Sequence, residues 1–349
     1  FSITDPSSNS TGAFTYTSSN TSVATVAGTT VTIIGIGNST ITATQASTAN
    51  YITGTITASL VVTQGTLVLS NFSIPAKIFG IAPFTITAPT TNSTGAFTYT
   101  SDNTAVATVT GTTITIVGEG SATFTATQAT TANYTSATIT ALLVVNPATP
   151  TITGFTVPVK TVVNDPFTIT DPSSNSSGAF TYTSSNTGVA TVDGNIVTIV
   201  AAGSSTITAS QASTANYTVG TITTTLTVNL VTTTLTNFTA PAKTFGDASF
   251  SLTDPTTNSN GAFTYTSSNT AVATVSGNTV TIIGGGSSTI TAVQASTTIY
   301  ASATITSSLV VSKATTVLTD FSVPAKTFGN APFTITAPTT NGNGAFTYT

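Results

Sequence analysis

The sequence predicts an all-β fold of tandem two-sheet sandwiches, each built from about seven short strands. The first observation is an internal repeat, because the stretch Gly12 to Thr17 returns at steps of 83 residues. Its copies begin at Gly95, Gly178, Gly261 and Gly344. The second observation is that no segment shows helical periodicity over a window of about 11 residues. Short alternating runs bounded by turn residues are typical of strands that pack as two sheets.

One period, residues 67–146, shows the predicted elements in order. Leu69 and Phe72 indicate a first strand, which ends at Pro75 because proline cannot donate to a sheet ladder. Gly111 is expected to form a tight hairpin turn. Residues 128–134 are interpreted as a polar connection. The full set of predicted strands is 67–72, 84–87, 96–100, 106–109, 114–116, 123–127 and 137–145.

The period also predicts the domain organisation. The expected units are 1–64, a repeat that lacks its first strand, then 65–147, 148–230 and 231–313, followed by 314–349, the start of a further repeat. The links between units are short and are not flexible Gly/Ser tethers, so we expect an extended rod. We expect both ends to be cuts through a longer repetitive protein. The alternative is that a C-terminal segment completes the first repeat of another chain by strand donation.

Composition excludes several classes of function. Charged residues form 4% of the chain and the net charge is −4, so the basic surface that nucleic acid requires is missing. Ser and Thr occupy 131 of the 349 positions, which suits a neutral, hydroxyl-covered surface. No apolar run reaches the roughly 18 residues of a spanning helix. We therefore expect no nucleic-acid partner and no membrane span in this segment.

The same composition argues against catalysis. The chain has no His and no Cys, so the common nucleophile–base pairs are absent. None of the nine carboxylates recurs in every repeat. We predict that the protein is not an enzyme, with no catalytic residues, no cofactor and no metal site.

Aromatic residues fall in columns at the repeat period, which is typical of core packing. A second tyrosine column lies beside a loop, where it could pack, pin the corner through its hydroxyl group, or offer a sugar-stacking platform. The structural repeat positions are Phe14, Tyr16, Phe97, Tyr99, Phe180, Tyr182, Phe263 and Tyr265, and, in the loop column, Tyr51, Tyr134, Tyr217 and Tyr300.

Two further columns carry charge. Asp5, Asp171 and Asp254 share a position that is Ala in the other copies, so a turn-capping aspartate is favoured over a calcium site. A strict lysine column is interpreted as protection of an edge strand. The alternative is a Lys–Asn isopeptide crosslink, which needs a nearby carboxylate. The lysines are Lys77, Lys160, Lys243 and Lys326.

The run from Tyr16 to Ala43 resembles the bacterial immunoglobulin-like domain, group 2. The residues that carry the resemblance are Tyr16 to Asn20, Val23 to Val26, Gly28, Val31 to Ile33, Gly37 and Ser39 to Ala43. The resemblance spans most of each period and recurs in every complete copy. It implies tandem Ig-like sandwiches in a cell-surface protein, as in intimins and invasins, and it brings no catalytic residues.

These observations predict a non-catalytic structural segment of a long extracellular fibre, filament or cell-surface stalk. The expected partners are other copies of the protein, through neighbouring repeats and through lateral or end-to-end contacts. The alternative is an adhesin or phage-fibre module that binds a glycan or a receptor.

Overall fold

Every regular element of the chain is a β-strand. The structure is a computed structural model that describes residues 1–349, with 46% of the chain in strands and none in helices. This confirms the predicted all-β fold. No helix has the length and apolarity that crossing a membrane requires.

The strands are numbered along the chain. The first repeat contains β1 (Phe14–Ser18), β2 (Ala24–Ala27), β3 (Thr30–Ile33), β4 (Gly37–Gln45) and β5 (Gly54–Val62). The second contains β6 (Leu69–Ser70), β7 (Lys77–Ile78), β8 (Phe84–Thr85), β9 (Thr90–Thr91), β10 (Phe97–Ser101), β11 (Ala107–Thr110), β12 (Thr113–Ile116), β13 (Gly120–Gln128) and β14 (Ala137–Asn146).

The later repeats follow the same sequence of elements. The third contains β15 (Ile152–Thr153), β16 (Lys160–Thr161), β17 (Phe167–Thr168), β18 (Ser173–Ser174), β19 (Phe180–Ser184), β20 (Ala190–Asp193), β21 (Ile196–Ile199), β22 (Gly203–Gln211) and β23 (Gly220–Asn229). The fourth contains β24 (Leu235–Thr236), β25 (Lys243–Thr244), β26 (Phe250–Ser251), β27 (Thr256–Thr257), β28 (Phe263–Ser267), β29 (Ala273–Ser276), β30 (Thr279–Ile282), β31 (Gly286–Gln294) and β32 (Ala303–Ser312). The last residues form β33 (Leu318–Thr319) and β34 (Thr339–Thr340).

The chain divides into two compact units. The first comprises Phe1–Thr153, Ser173–Phe180 and Ser210–Thr221. The second comprises Gly154–Pro172, Thr181–Ala209 and Ile222–Thr349. The first two repeats thus lie in the first unit and the fourth lies in the second, while the third contributes strands to both.

Within the first unit, the second repeat is a sandwich of two sheets. One sheet has the strand order β10-β13-β14-β7 and the other has the order β11-β12-β8. Strand β7 runs parallel to β14, and the other pairs are antiparallel. The two sheets together hold seven strands, which is the predicted number. However, β7 was not among the predicted strands, and the predicted first strand, reduced to β6, pairs with β9 outside both sheets.

Within the second unit, the fourth repeat has the same two sheets, ordered β28-β31-β32-β25 and β29-β30-β26. The first repeat has only the sheets β1-β4-β5 and β2-β3. It therefore has the two central hairpins of the sandwich without the strands that correspond to β6 and β7.

Side-chain alternation explains why these segments form a sandwich. Along β14, Ala141, Leu143 and Val145 are buried while the residues between them are exposed. A strand turns successive side chains to opposite faces, so one face joins the core and the other meets solvent. The buried cluster of this repeat includes Ile114 from the opposite sheet.

Phe124 departs from the repeat pattern and shows how the core compensates for a larger side chain. Its counterparts are isoleucine in the other copies, and it is fully buried. Two residues earlier, Ala122 replaces a buried serine, such as Ser39 or Ser205. The second repeat thus combines a larger apolar residue with a smaller one nearby, as close packing requires.

Besides the short strands β7 and β9, which were not predicted, the structure differs from the predicted elements at three points. The first strand is reduced to β6, because Pro75 and a left-handed Asn71 (φ 58°) interrupt the segment. The segment predicted at 84–87 forms a strand only at Phe84–Thr85. Gln128 ends β13 and is buried, so it does not belong to a polar connection.

The glycine that opens each repeated motif is required by a close approach of the backbone. A Cβ atom at Gly261 would lie 2.0 Å from the carbonyl oxygen of Ala295, and one at Gly95 would lie 2.4 Å from that of Ala129. Neither distance can be tolerated without a shift of main chain. Gly344 opens the same motif near the end of the sequence, and nothing lies within 4 Å of its Cβ position.

We therefore predict that Gly261→Ala destabilises the fourth repeat by about 1–3 kcal/mol, because the added methyl group overpacks a fixed carbonyl. Hydrogen exchange of peptides covering β28 and β31 measures this loss. Gly344→Ala is the matched control and should change protection by less than about 0.5 kcal/mol. Equal effects of the two substitutions would contradict the steric explanation.

Candidate functional site

In each repeat a glutamine binds the turn that leads into the repeated motif, and in the second, third and fourth repeats this glutamine is buried. In the second repeat, the amide nitrogen of Gln128 donates to the carbonyl oxygens of Ser93 (3.2 Å) and Gly95 (2.7 Å). Its amide oxygen accepts from the hydroxyl group of Thr91 at 2.5 Å. We call this set the glutamine lock. The side chain is 1% exposed, so its polar groups are satisfied by protein alone.

The glutamine lock recurs with almost the same geometry. Gln294 donates to Ser259 (3.1 Å) and Gly261 (2.9 Å) and accepts from Thr257 at 2.6 Å. Gln45 and Gln211 make the corresponding bonds. Sequence reasoning missed this residue, although its spacing of 83 residues was a visible signal.

The predicted aromatic positions lie beside one another on the inner face of the sheet. The rings of Phe97 and Tyr99 stack with centroids 6.1 Å apart, and those of Phe263 and Tyr265 do the same. A phenylalanine that follows the short first strand then stacks on the tyrosine, as Phe238 does on Tyr265 at 5.9 Å. Phe14 and Tyr16 form the same pair at 6.3 Å. Phe155 stacks on Tyr182 at 5.9 Å, and Phe180 begins β19.

The aspartate column has a different role from the predicted turn cap. The hydroxyl group of Tyr16 donates to Asp5 at 2.6 Å, and Tyr265 donates to Asp254 at the same distance. Tyr182 makes the equivalent bond to Asp171 at 2.5 Å. A carboxylate that accepts from a phenol stabilises the neutral phenol and disfavours the phenolate.

These bonds shift the titration of the tyrosines. The hydrogen bond to Asp5, with a smaller effect of burial, raises the pKa of Tyr16 to about 12. Burial, followed by the hydrogen bond to aspartate, raises the pKa of Tyr182 and of Tyr265. Burial alone raises the pKa of Tyr99, whose repeat has Ala88 in the aspartate position.

The lysine column makes cation–π contacts. Lys77 lies in the edge strand β7, and its Nζ atom is 4.7 Å from the centroid of the Phe84 ring. Lys160, Lys243 and Lys326 make the same contact at 4.7, 4.8 and 5.0 Å. An aromatic face, rather than an asparagine amide, thus receives each of these ammonium groups.

The loop tyrosines lie where one repeat is joined to the next. Gly65 forms an isolated parallel bridge with Tyr134, and its N–H donates to the Asn133 carbonyl oxygen at 2.8 Å. Ala148 forms the same bridge with Tyr217, and Val231 forms it with Tyr300. Each link residue is therefore hydrogen-bonded to the repeat that follows it. Tyr51, in the first repeat, is 45% exposed.

The junction after the second repeat adds side-chain contacts within the first unit. The Phe79 ring meets the Tyr217 ring edge-on, with centroids 5.5 Å apart. The N–H group of Glu119 donates to the side-chain oxygen of Asn216 at 2.8 Å. The aromatic pair and this exposed hydrogen bond join the second repeat to residues 216 and 217 of the third. We call these residues the repeat junction.

The residues that correspond to the repeat junction differ between one pair of repeats and the next. In the third repeat Val162 stands where the second has Phe79, and in the fourth Ile299 stands where the third has Asn216. Phe245, the corresponding residue of the fourth repeat, is 50% exposed. Aromatic and polar contacts at one junction are thus replaced by aliphatic residues at another.

The carboxylates are dispersed over the surface. No group of three or more His, Cys, Asp or Glu side chains could hold a metal ion. Three of the nine carboxylates accept a tyrosine hydroxyl group, as described above, and Asp102 accepts the backbone N–H of Thr123 at 2.7 Å. The bonds of these four aspartates are structural.

Comparison with known proteins gives no family and no close relative. No family model matches the sequence, and none of the curated proteins matches it. Solved structures that are similar include Drosophila N-cadherin EC1-4, which is 12% identical to this chain. The match covers 89% of this chain and 94% of that one, with a TM-score of 0.24. The first eight Ig domains of the Down syndrome cell adhesion molecule are 14% identical to this chain. The match covers 87% of this chain and 46% of that one, with a TM-score of 0.30. Domains 4–9 of the surface layer protein SbsC are 18% identical to this chain. The match covers 84% of this chain and 57% of that one, with a TM-score of 0.21.

At these TM-scores the likeness adds nothing about function to what the strands themselves show. The two-sheet sandwich that repeats every 83 residues defines the class: this is a protein of tandem Ig-like domains.

We predict that Gln294→Met destabilises the fourth repeat by about 2–4 kcal/mol, because three buried polar partners lose their bonds while the volume changes little. Local hydrogen exchange in β31 measures the loss. Gln64→Met removes one exposed hydrogen bond, to Thr131, and should cost less than about 0.5 kcal/mol. Similar losses for both variants would show that burial of the glutamine lock is unimportant.

We also predict a stability loss in alkaline solution. The folded state keeps the Tyr16 phenol protonated up to a pKa of about 12, whereas an unfolded tyrosine loses its proton near 10. Between these values the folded state binds more protons, so stability falls as the pH rises through this window.

Asp5→Asn should bring the pKa of Tyr16 back toward 10, as measured by NMR titration of the tyrosine ring carbons. Asp102→Asn is the control, because that carboxylate has a backbone partner. If the pKa of Tyr16 were unchanged in Asp5→Asn, the hydrogen bond to Asp5 would not be what raises it.

Proposed function

We propose that the chain is a non-catalytic structural segment of a long extracellular fibre, filament or cell-surface stalk. The observation that carries the proposal is the shortness of the links between repeats. Only one or two residues separate the last strand of a repeat from the residue that bridges to the next, as Pro147 separates β14 from Ala148. Such links hold neighbouring sandwiches in a defined direction and leave little freedom for bending.

The bridges also support the proposed repeat boundaries at 64/65, 147/148 and 230/231. The fourth proposed boundary, at 313/314, follows from the 83-residue period alone. Gly65, Ala148 and Val231 each bond to the repeat that follows them rather than to the one before. The Tyr134, Tyr217 and Tyr300 backbones are engaged in these bonds. This supports a joining role for the loop tyrosines over a sugar-stacking platform.

The surface supports assembly between chains. With 4% charged residues and a net charge of −4, electrostatic repulsion between neighbouring rods is weak. Outward positions on β14 carry hydroxyl groups at Thr138 and Thr140 and exposed aliphatic side chains at Leu142 and Val144. We propose that such faces associate laterally into bundles.

We further propose that the repeats belong to group 2 of the bacterial Ig-like domains and lie outside the cell. The support is the motif from Tyr16 to Ala43 and its copies, which in the first repeat lies on strands β1 to β4. Within that group, tandem copies typically extend a surface protein away from the cell.

Small-angle scattering and negative-stain images test the proposal. We expect rods that lengthen by about 35–40 Å per repeat, given strands of about seven residues at ~3.4 Å each and loops at both ends. Lateral bundles should form as the salt concentration is varied. Isolated particles at every salt concentration, without a rod shape, would contradict the fibre function.

A matched pair of variants tests the junction itself. Tyr217→Ala removes the ring against Phe79 and should increase bending between the second and third repeats. Tyr51→Ala removes a loop tyrosine that is 45% exposed and should leave the particles unchanged. Equal bending in both variants and in the unmodified chain would leave the junction without a stiffening role.

A further inference from the structure

One asparagine of the fourth repeat lies in the turn that the glutamine lock holds. Asn260 is exposed and stands directly before Gly261, the glycine that opens the repeated motif. An Asn-Gly pair is reactive, because glycine has no side chain to keep its backbone nitrogen away from the asparagine carboxamide. The first three repeats have a hydroxyl residue in place of the asparagine, at Thr11, Thr94 and Ser177. The fourth repeat thus carries a reactive pair where these three carry an inert one.

The carboxamide of Asn260 has no structural role. It makes no hydrogen bond in the structure. Asn258, two residues earlier, is different, since its side-chain oxygen accepts from the N–H of Thr234 at 3.0 Å and its nitrogen donates to the carbonyl oxygen of Thr232 at 3.3 Å. One asparagine of this turn is therefore tied to the start of the repeat, and the other is free to react.

The backbone is held on both sides of Asn260. The Nε2 atom of Gln294 donates to the carbonyl oxygens of Ser259 and Gly261, at 3.1 and 2.9 Å. The N–H of Gly261 donates to the hydroxyl group of Ser259 at 3.3 Å. For the Gly261 nitrogen to reach the Asn260 side chain, the main chain must rotate about the Cα–C bond of Asn260, and these three bonds oppose the rotation. The closed glutamine lock thus protects the pair, and a local opening exposes it.

We propose that Asn260 is a deamidation site that the glutamine lock of the fourth repeat controls. When the lock opens, the backbone nitrogen of Gly261 attacks the Cγ atom of Asn260. The C–N bond of the carboxamide breaks, and the side-chain nitrogen leaves as ammonia with the proton of the Gly261 N–H. The product is a succinimide ring. Water then adds to one of the two ring carbonyls and opens the ring, which gives aspartate or isoaspartate.

The isoaspartate product cannot rebuild the lock. Its main chain runs through the former side chain, so one additional methylene group separates Ser259 from Gly261. The single Nε2 atom of Gln294 then no longer reaches both carbonyl oxygens. The turn cannot absorb the added atom, since a Cβ atom at Gly261 would already lie 2.0 Å from the carbonyl oxygen of Ala295. Each opening that ends in isoaspartate leaves the fourth repeat without its lock.

Peptide mapping of the whole chain tests the site. Cleavage after Lys243 and Lys313 releases a peptide in which Asn260-Gly261 is the one Asn-Gly pair. After prolonged incubation in mildly alkaline buffer, fragmentation of this peptide should show the mass increase of an NH₂-to-OH exchange at Asn260 and not at Asn258. Asn260→Thr, which introduces the residue of the second repeat, should abolish the conversion. Equal conversion at Asn258 and Asn260, including none at either, overturns the proposal.

Two lock variants test the control of the reaction. Gln294→Met opens the lock around Asn260 and should accelerate conversion there at least about tenfold, because the reaction follows the population of the open turn. Gln211→Met opens the lock of the third repeat and should leave the rate at Asn260 unchanged. An unchanged rate in Gln294→Met, or equal acceleration by both variants, overturns the proposal.

A milder variant covers the case in which Gln294→Met unfolds the whole repeat. Thr257→Val removes the hydroxyl group that donates to Gln294 at 2.6 Å and leaves the glutamine in place. It should accelerate conversion at Asn260 by about threefold or more, while β29 and β30 of the other sheet keep their protection from hydrogen exchange. An unchanged rate in Thr257→Val overturns the control by the lock.

Hydrogen exchange tests the consequence of the reaction. In molecules that carry isoaspartate, β28 and β31 should lose protection, whereas β19 and β22 of the third repeat should keep it, because that repeat has Ser177 in this position. Asn260→Thr incubated in the same way should keep protection in both repeats. Full protection of β28 and β31 in the isoaspartate form would show that the lock re-forms, and overturns this part of the proposal.

This inference goes beyond the proposed fibre function and does not rest on it. Conversion at Asn260 depends on the turn and on Gln294, which belong to one repeat. A chain that forms no rods would still convert at Asn260, and a chain that forms rods without converting would remove only the deamidation site.

Discussion

The arrangement of each sandwich depends on one buried carboxamide. Gln128 and its counterparts join the end of an inner strand, β13 in the second repeat, to the turn that precedes the repeated motif. Gln128 does so through bonds to Ser93 and Gly95. That turn passes so close to Ala129 that only glycine fits. The aromatic pair that follows, Phe97 and Tyr99, is thereby placed on the inner face. A polar group in a core costs stability unless it is satisfied, and here full satisfaction makes the glutamine specify a single register.

The period and the side-chain alternation were enough to predict the all-β class, the number of strands and the length of the repeat. They did not predict the short strand β7, which pairs with β14. The polar interior could not be found in this way. Gln128 follows a run of alternating threonines, and its side-chain type indicates a surface loop unless its partners are known. Asp5 illustrates the same limit, since its partner Tyr16 lies eleven positions away on another segment and only the fold brings the two together.

The junctions show why sequence alone could not define the loop tyrosines. Tyr217 has the same local sequence whether it binds a sugar, pins a corner or joins two repeats. Its role depends on Phe79, which lies in the preceding repeat, and on the short link that ends at Ala148. Further along the chain, Val162 takes the position of Phe79 and Ile299 takes the position of Asn216. The sandwiches are thus kept nearly constant while the surfaces that join them change.

The parallel pairing of β7 with β14 has a mechanical consequence. The two strands lie near opposite ends of a repeat's sequence, so tension along the chain pulls them past each other and loads their hydrogen bonds in shear. The paired stretch is short, since Lys77 and Ile78 face only Val145 and Asn146 and one further bond joins Phe79 to Asn146. Each repeat would unfold as a unit once the β7–β14 hydrogen bonds break. A chain of such repeats would lengthen in steps and absorb a sudden load without breaking a covalent bond.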